Sequence, residues 1–419
     1  MTSINLFERP FIIKLIGILL LGFSFSLNAQ ERFYDPLFAV GVKYNVKYGV
    51  NSNPDKKQPP LLMDVYFPLG DTMKNRPLII LEHGGGFIMG NKNNYPMETL
   101  CSRFAQFGYV CASINYSLGF DKKGSVDDIT GKTVLNSVQD MKAAIRYFRA
   151  NTDQDNHFQI DPNQIWVGGS SSGAITALHT AFWKEKDFSV FSWKLEENGG
   201  IEGNGGNLGY SSKVQGVISL SGAIGDTSFI NESIPVVSVH GEYDPIVPYN
   251  TDKINFNYPI IGKVPPVQVM GSSVLHQALD NRGIPNALLS MENQGHCPFD
   301  KMLDWKRYPV YMDMTINHIR NFMYNQLWND GTEKTDMTTR HTSTITYERD
   351  STGWYFYPVD KNVKKIKLYL FDENGNRIRK DKVKKKRKSF YWKGKKLPEK
   401  LELRAVYNLY RTDWFFGMD

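Results

Sequence analysis

Apolar and polar residues alternate along the first three quarters of the chain in two patterns. Continuous apolar runs bounded by glycine or proline are typical of strands buried on both faces, and apolar residues recurring every three or four positions are typical of amphipathic helices. The predicted buried strands include PLIILE (77–82), YVCASINY (109–116), QIWV (164–167), VQGVISL (214–220), PVVSV (235–239) and NALLSME (286–292). Helices are predicted over 97–108, 136–151, 272–283 and 308–328. This alternation predicts an α/β fold with a mostly parallel sheet flanked by helices.

Two stretches depart from this pattern. Residues 197–212, ENGGIEGNGGNLGYSS, are rich in Gly and Asn and predict a long loop, which is either functional or a surface excursion. After Arg340 short β-type segments follow one another, and DENGN (372–376) is a hairpin-turn signal. We therefore expect a catalytic domain over 30–340 and a small all-β module over 341–419.

The composition of the two ends of the chain predicts a leader and shows a basic tail. Residues 1–29 contain Arg9, Lys14, an apolar run over 15–27 and a small residue, Ala29, which together predict an export signal peptide. A short membrane anchor is the alternative. The net charge is +7, but residues 342–419 hold twenty Lys and Arg against ten Asp and Glu, so the rest of the chain is slightly acidic.

Three cysteines are present in a chain expected to be exported, where disulfides are permitted. Cys101 and Cys111 are close enough in sequence to pair, which the sequence leaves open, and Cys297 would then be free. No Cys and His spacing predicts a metal site. We expect no cofactor.

Candidate chemistry begins at VGGSSSGA (167–174), which follows an apolar run and precedes a helical segment. Only Ser171 is central in G-x-S-x-G, the motif of a sharp strand-to-helix turn that exposes a serine hydroxyl. Ser171 is therefore the candidate nucleophile, and the backbone N–H of Ser172 is placed to face an oxyanion. On its own, the motif is equally consistent with a structural turn.

Three further segments favour catalysis. HGGGF (83–87) ends an apolar strand with glycines whose N–H groups are free to converge on a negative oxygen. Asp244 follows the strand PVVSV, where a carboxylate can orient an imidazole, and His296 lies in a loop after NALLSME. His240, at the end of its strand, is assigned a structural role.

With these motifs in this order, the sequence resembles the α/β-hydrolase superfamily, specifically the HGGG-bearing carboxylesterases and feruloyl-esterase-like enzymes. The resemblance spans about Leu61 to Trp328, in the segments LEHGGGF, GYVCASINYSLG, QDMKAAIRYFRAN, VGGSSSGA, HGEYDPIVP and QGHCPF. It implies an α/β-hydrolase fold and acyl transfer through Ser171, His296 and Asp244. The oxyanion would be bound by N–H groups of Ser172 and of Gly85 or Gly86.

The expected function is therefore that of a secreted serine esterase acting on small or carbohydrate-linked acyl esters. A prolyl-oligopeptidase-like peptidase and a non-catalytic binding protein on a hydrolase scaffold are the alternatives. The lysine-rich segment 380–396 predicts either contact with an anionic polysaccharide or cell surface, or a solvated strand edge. Nucleic acid fits that charge but not an export leader.

Overall fold

The computed structural model describes residues 31–50, 60–120, 124–254, 266–301, 303 and 308–328, and the backbone of eight strands between 345 and 416. The predicted signal peptide and the turn DENGN lie outside the described residues. No helix among the described residues has the length and apolar character needed to cross a membrane.

One eight-stranded sheet forms the centre of the structure. Its strands are β1 (Ala39–Gly49), β2 (Leu61–Leu69), β3 (Arg76–Glu82), β4 (Val110–Ile114), β5 (Ile160–Ser170), β6 (Gly216–Leu220), β8 (Val236–Gly241) and β11 (Asn286–Met291). They lie in the order β1-β2-β4-β3-β5-β6-β8-β11. Contacts β1/β2 and β2/β4 are antiparallel, and all the others are parallel.

Five α-helices accompany this sheet: α1 (Tyr95–Phe107), α2 (Val126–Gln154), α3 (Ser172–Phe182), α4 (Ser272–Asp280) and α5 (Tyr308–Leu327). Buried residues of α2, α3 and α4 share one apolar cluster with the sheet, and those of α1 and α5 share another. The sheet therefore has helices on both faces, and its strands β3, β4, β6 and β8 are buried along their whole length. The predicted α/β class is confirmed.

Helix ends follow local sequence signals. Gly108 ends α1 in the left-handed region at φ 108°, and the Ser125 hydroxyl at the start of α2 accepts from the N–H of Asp128. α2 begins ten residues earlier than its apolar periodicity predicts, since the Ser125 cap and two acidic residues of the first turn stabilise an additional N-terminal segment.

Three short strands were not predicted: β7 (Ala223–Ile224), β9 (Thr251–Lys253) and β10 (Gln268–Gly271). They form a separate antiparallel sheet in the order β7-β10-β9. Strands of two to four residues are too short to carry a readable alternation. Three short 3₁₀ helices complete the described part before residue 329: Glu185–Val190, Glu196–Asn198 and Thr227–Phe229.

The Gly- and Asn-rich segment 197–212 is a loop, as predicted, but it is attached to α2. Glu202 accepts from Lys142 Nζ at 2.7 Å and from Arg146 Nη1 at 3.0 Å. Both cations are buried, and Arg146 also donates to backbone oxygens of Glu202 and Gly206. The loop is therefore held by buried charges instead of projecting freely from the surface.

Beyond residue 344 the described backbone consists of strands alone. They are β12 (Ile345–Arg349), β13 (Trp354–Pro358), β14 (Lys365–Phe371), β15 (Arg377–Lys382), β16 (Lys384–Lys385), β17 (Phe390–Trp392), β18 (Leu401–Asn408) and β19 (Arg411–Phe416). They form two four-stranded antiparallel sheets, β12-β13-β17-β16 and β15-β14-β18-β19. The domain boundary at residue 340 itself remains a prediction.

Candidate active site

Ser171 occupies a sharp turn between β5 and α3, with φ 53° and ψ −117°. A non-glycine residue is rarely stable at such a φ unless its surroundings enforce it. The enforcement comes from close packing: a Cβ on Gly169 would lie 2.4 Å from Glu82 O, and one on Gly173 would lie 2.2 Å from the same oxygen. The two motif glycines thus allow the turn to press against the end of β3.

The three consecutive serines differ in what their hydroxyls contact. Ser171 Oγ lies 2.9 Å from His296 Nε2. Ser172 Oγ lies 3.2 Å from Tyr116 Oη, and Ser170 is buried as the last residue of β5. Only Ser171 therefore has a basic nitrogen beside its hydroxyl, as the motif predicts.

His296 connects this serine to Asp244. Its Nδ1 lies 2.6 Å from Asp244 Oδ2. The other carboxylate oxygen, Oδ1, accepts from the N–H groups of Ile246 at 2.9 Å and Val247 at 3.0 Å. Because a carboxylate can only accept, Nδ1 of His296 carries a proton, and in the neutral ring Nε2 is free to accept from Ser171. The structure thus places the three predicted residues in one chain of hydrogen bonds.

The local charges favour this arrangement. Burial alone would raise the pKa of Asp244, but contacts with His296 and His240 outweigh it and hold that pKa well below its ordinary range. Burial alone would lower the pKa of His296, but the adjacent Cys297 sulfur and the Asp244 carboxylate raise it above its usual value. Asp244 is therefore ionised at neutral pH, and the imidazole is the more basic for it.

The HGGG segment follows β3 and lies against the serine turn. A Cβ on Gly84 would lie 3.2 Å from Ser171 Cβ. His83 Nδ1 donates to Gly84 O at 2.7 Å, and burial lowers the pKa of His83 to about 4, so the ring is neutral and supports the loop. Among the described residues, none accepts a hydrogen bond from the N–H of Gly85, Gly86 or Ser172. These donors remain available to a ligand, where the sequence predicts an oxyanion hole.

Glu82, which the sequence analysis did not single out, lies directly below this site. Its Oε1 accepts from Ser137 Oγ at 2.7 Å, and Ser137 Oγ in turn accepts from Thr176 Oγ1 at 2.9 Å. Burial raises the pKa of Glu82 well above its ordinary value. Through these hydroxyls the Glu82 carboxyl connects β3, α2 and α3. A lone acidic residue at the end of the apolar run PLIILE is the signal that could have indicated it.

An apolar cavity of about 220 Å³ opens beside the serine turn. Its wall includes Phe87, which follows the three glycines, and Ile175, one helical turn beyond Ser171. Four more aromatic residues line it: Phe120, Trp183, Phe191 and Phe229. The cavity can accept an apolar group between Phe87 and α3.

The remaining candidate features are the three cysteines and groups of side chains that could bind a metal. Cys101 and Cys111 are buried free thiols whose sulfurs lie 2.9 Å apart, and Cys297 is a third buried thiol. Across the described ranges no group of three or more His, Cys, Asp or Glu side chains is arranged to hold a metal ion.

Part of the chain is similar to a known family and to curated proteins. Residues 63–229 match the BD-FAE family model. Over 99 residues the chain is 32% identical to Gut esterase 1 of Caenorhabditis elegans, covering 23% of this chain and 17% of that protein. Over 119 residues it is 33% identical to the neuroligin-like protein glit-1 of the same nematode, covering 27% and 15%. The chain thus spans about a sixth of the length of the curated relatives it matches.

Solved structures of a thermophilic esterase, Est2 of the planctomycete Thermogutta terrifontis, are also similar. The propionate-bound form is 18% identical, with a TM-score of 0.48 over 69% of this chain and 94% of that chain. The form phosphorylated by paraoxon is 18% identical, with a TM-score of 0.48 over 69% and 95%. The strand order and the serine turn between β5 and α3 are those of an α/β-hydrolase fold, and residues 63–229 of this chain are similar to the BD-FAE family.

Proposed function

We propose that this protein is an exported serine hydrolase that cleaves carboxylic acyl esters, including carbohydrate-linked ones, through an acyl-enzyme on Ser171. The observation that carries the proposal is the continuous chain from Ser171 Oγ through His296 to Asp244, at a turn with unused N–H donors beside it. The similarity to BD-FAE and to gut esterases supports an ester as the substrate.

Acylation follows from the protonation states of these groups. His296 Nε2 accepts the Ser171 proton while Oγ attacks the carbonyl carbon, and the oxyanion that forms is stabilised by N–H groups of Ser172 and of Gly85 or Gly86. His296 then donates the proton to the departing alkoxide, which leaves as an alcohol. Asp244 stabilises the positive imidazolium throughout without itself taking the proton.

Deacylation repeats these steps with water. His296 removes a proton from water, the hydroxide attacks the acyl carbon, and the collapsing intermediate releases the acid while Ser171 recovers its proton. None of these steps uses a metal or an organic cofactor. The apolar cavity beside Phe87 and Ile175 would hold an acyl or alcohol group of several carbons, which favours longer substrates over acetyl esters.

The test is replacement of single serines, with turnover of p-nitrophenyl acetate and butyrate as the measurement. Ser171→Ala should lose turnover and covalent labelling by a fluorophosphonate, because no other hydroxyl contacts His296 in the described structure. Ser170→Ala, with the same atom removed one residue earlier, is the matched control and should stay active. Full activity of Ser171→Ala would contradict the proposal. An inactive wild type would favour a binding protein, and turnover of prolyl peptides alone would favour a peptidase.

A further inference from the structure

A second histidine contacts the carboxylate of the proposed triad. His240 lies near the end of β8 and is completely buried. Its Nε2 is 3.1 Å from Asp244 Oδ2, the same oxygen that accepts from His296, and 3.1 Å from Val247 O. Asp244 is thus shared between two imidazoles, one facing the serine and one facing the protein interior.

The partners of His240 determine its tautomer. Neither the Asp244 carboxylate nor a backbone carbonyl can donate, so Nε2 of His240 must carry the proton. Its other nitrogen, Nδ1, is 2.8 Å from Ser272 Oγ, the first residue of α4, whose hydroxyl can donate to it. The ring also makes an edge contact with Tyr249, with centroids 5.6 Å apart at 86°. A relay Ser272–His240–Asp244 therefore reaches the same carboxylate oxygen that accepts from His296.

The effect on Asp244 follows from counting its donors. Oδ1 is fixed by the Ile246 and Val247 N–H groups, so without His240 the other oxygen would have His296 as its sole side-chain partner. The carboxylate could then rotate each time its hydrogen bond with His296 changes during turnover. A donor from a fully buried, fixed ring holds Oδ2 in place while His296 gains and loses its proton.

We propose that His240 is a positioning residue, which fixes the catalytic carboxylate of Asp244 and is itself oriented by Ser272. The proposal rests on the proposed function, because it assigns Asp244 a role in catalysis. A purely structural role for His240 would not predict this result: loss of its N–H donor should lower kcat, and another N–H donor at the same place should restore kcat.

The test compares His240→Phe, which keeps a ring of similar size but removes both nitrogens, with His240→Gln, whose amide N–H reaches about as far as Nε2. His240→Phe should lower kcat for a p-nitrophenyl ester by about 10- to 100-fold, the range of one hydrogen bond to a charged group, with KM within about twofold. His240→Gln should recover most of that loss. His276→Phe, a buried histidine on α4 that bonds Asn286, is the matched control and should keep kcat.

A double-mutant cycle covers the case in which His240→Phe does not fold. Ser272→Ala should lower kcat several-fold in the wild type and should have no further effect in the His240→Gln background, because the relay is already replaced there. An equal effect in both backgrounds would overturn the relay. So would an unchanged kcat in His240→Phe, or losses in the Phe and Gln variants that only follow their melting temperatures.

A readout without turnover separates this inference from the proposed function. The proton between His296 Nδ1 and Asp244 Oδ2 should give a strongly deshielded proton NMR signal in the resting protein. His240→Phe should shift or broaden that signal, and His276→Phe should not. If the wild type hydrolyses no ester yet the signal responds in this way, the proposed function fails and the positioning role stands. A signal that is identical in all variants would overturn the positioning role.

Discussion

Two buried carboxyl groups near Ser171 have pKa values shifted in opposite directions. Asp244 receives N–H donors on both oxygens, so it is ionised despite its burial. Glu82 receives only hydroxyl contacts, and no group in the described residues bonds its Oε2, so burial raises its pKa well above the ordinary value. The number and type of donors, not the depth of burial, therefore separate the carboxylate of the proposed triad from the carboxyl that connects secondary-structure elements.

The ionised carboxylate should set the acid limb of the pH profile. Because the pKa of His296 is raised, kcat/KM should rise with pH with a midpoint above the ordinary 6.5 of an imidazole, as the ring loses its proton and becomes a base. Asp244→Asn should lower kcat on the order of 10⁴-fold and move this midpoint down. Asp300→Asn, an aspartate on the His296 loop, is the control. If Asp300→Asn were the damaging change, Asp244 would not be the acid of the triad.

The raised pKa of Glu82 should make stability fall as pH rises. Folded Glu82 keeps its proton at a pH at which the unfolded chain has lost it, so unfolding releases a proton and becomes easier as pH rises above about 4.5. Glu82→Gln should therefore gain melting temperature relative to the wild type between pH 5 and pH 8. Glu197→Gln, at an exposed glutamate, should show a constant difference. A Glu82→Gln difference that does not change with pH would contradict the assignment.

Helix α2 does more than cover the sheet, because it carries the cations that hold loop 197–212. Glu202 is about half exposed, while its partners Lys142 and Arg146 are nearly inaccessible, so loss of Glu202 leaves two buried positive charges without a carboxylate. Such losses cost about 3–5 kcal/mol in fully buried pairs, and partial exposure of Glu202 reduces that cost.

We therefore expect Glu202→Ala to lower the free energy of unfolding by about 1–3 kcal/mol and to make the loop sensitive to proteolysis. Urea unfolding and mild digestion measure the two effects. The control is Glu232→Ala, which removes a similar contact to Lys184 between two partly exposed side chains and should have little effect. An intact, equally stable Glu202→Ala would mean that the loop does not depend on these ion pairs.

Elements with a strong local signal could be predicted, and so could the residues at their ends. Gly169, Ser171 and Gly173 are spaced for a sharp turn, and Asp244 and His296 each follow a buried strand. Glu82 was not singled out, and His240 was assigned only a structural role, because the contacts that matter come from partners distant in the chain: Ser137 and Thr176 for Glu82, and Ser272 for His240. Sequence spacing cannot reveal such tertiary contacts.

At the scale of the whole molecule, every proposed catalytic residue lies upstream of the basic tail. We predict that a chain ending at Arg340 folds and keeps turnover of small soluble esters. If the lysine-rich segment contacts anions, the full chain should bind an acidic polysaccharide at low salt and release it at high salt, because exposed charges are screened. The truncated chain should not bind it. Equal retention by both forms would exclude the attachment role, and lost turnover would show that the tail supports the site.

The position of β11 has a consequence for how activity appears in time. This strand is at the edge of the large sheet, pairs only with β8 in that sheet, and is followed directly by the loop that carries His296. Ser171 and His296 are 125 residues apart, so their contact closes a long loop, and we expect this contact to form late during folding. An intermediate with β3, β5 and β6 already assembled would contain the serine turn and yet be inert. During refolding, turnover should therefore return with the slowest spectroscopic phase, after most of the helical signal has been recovered.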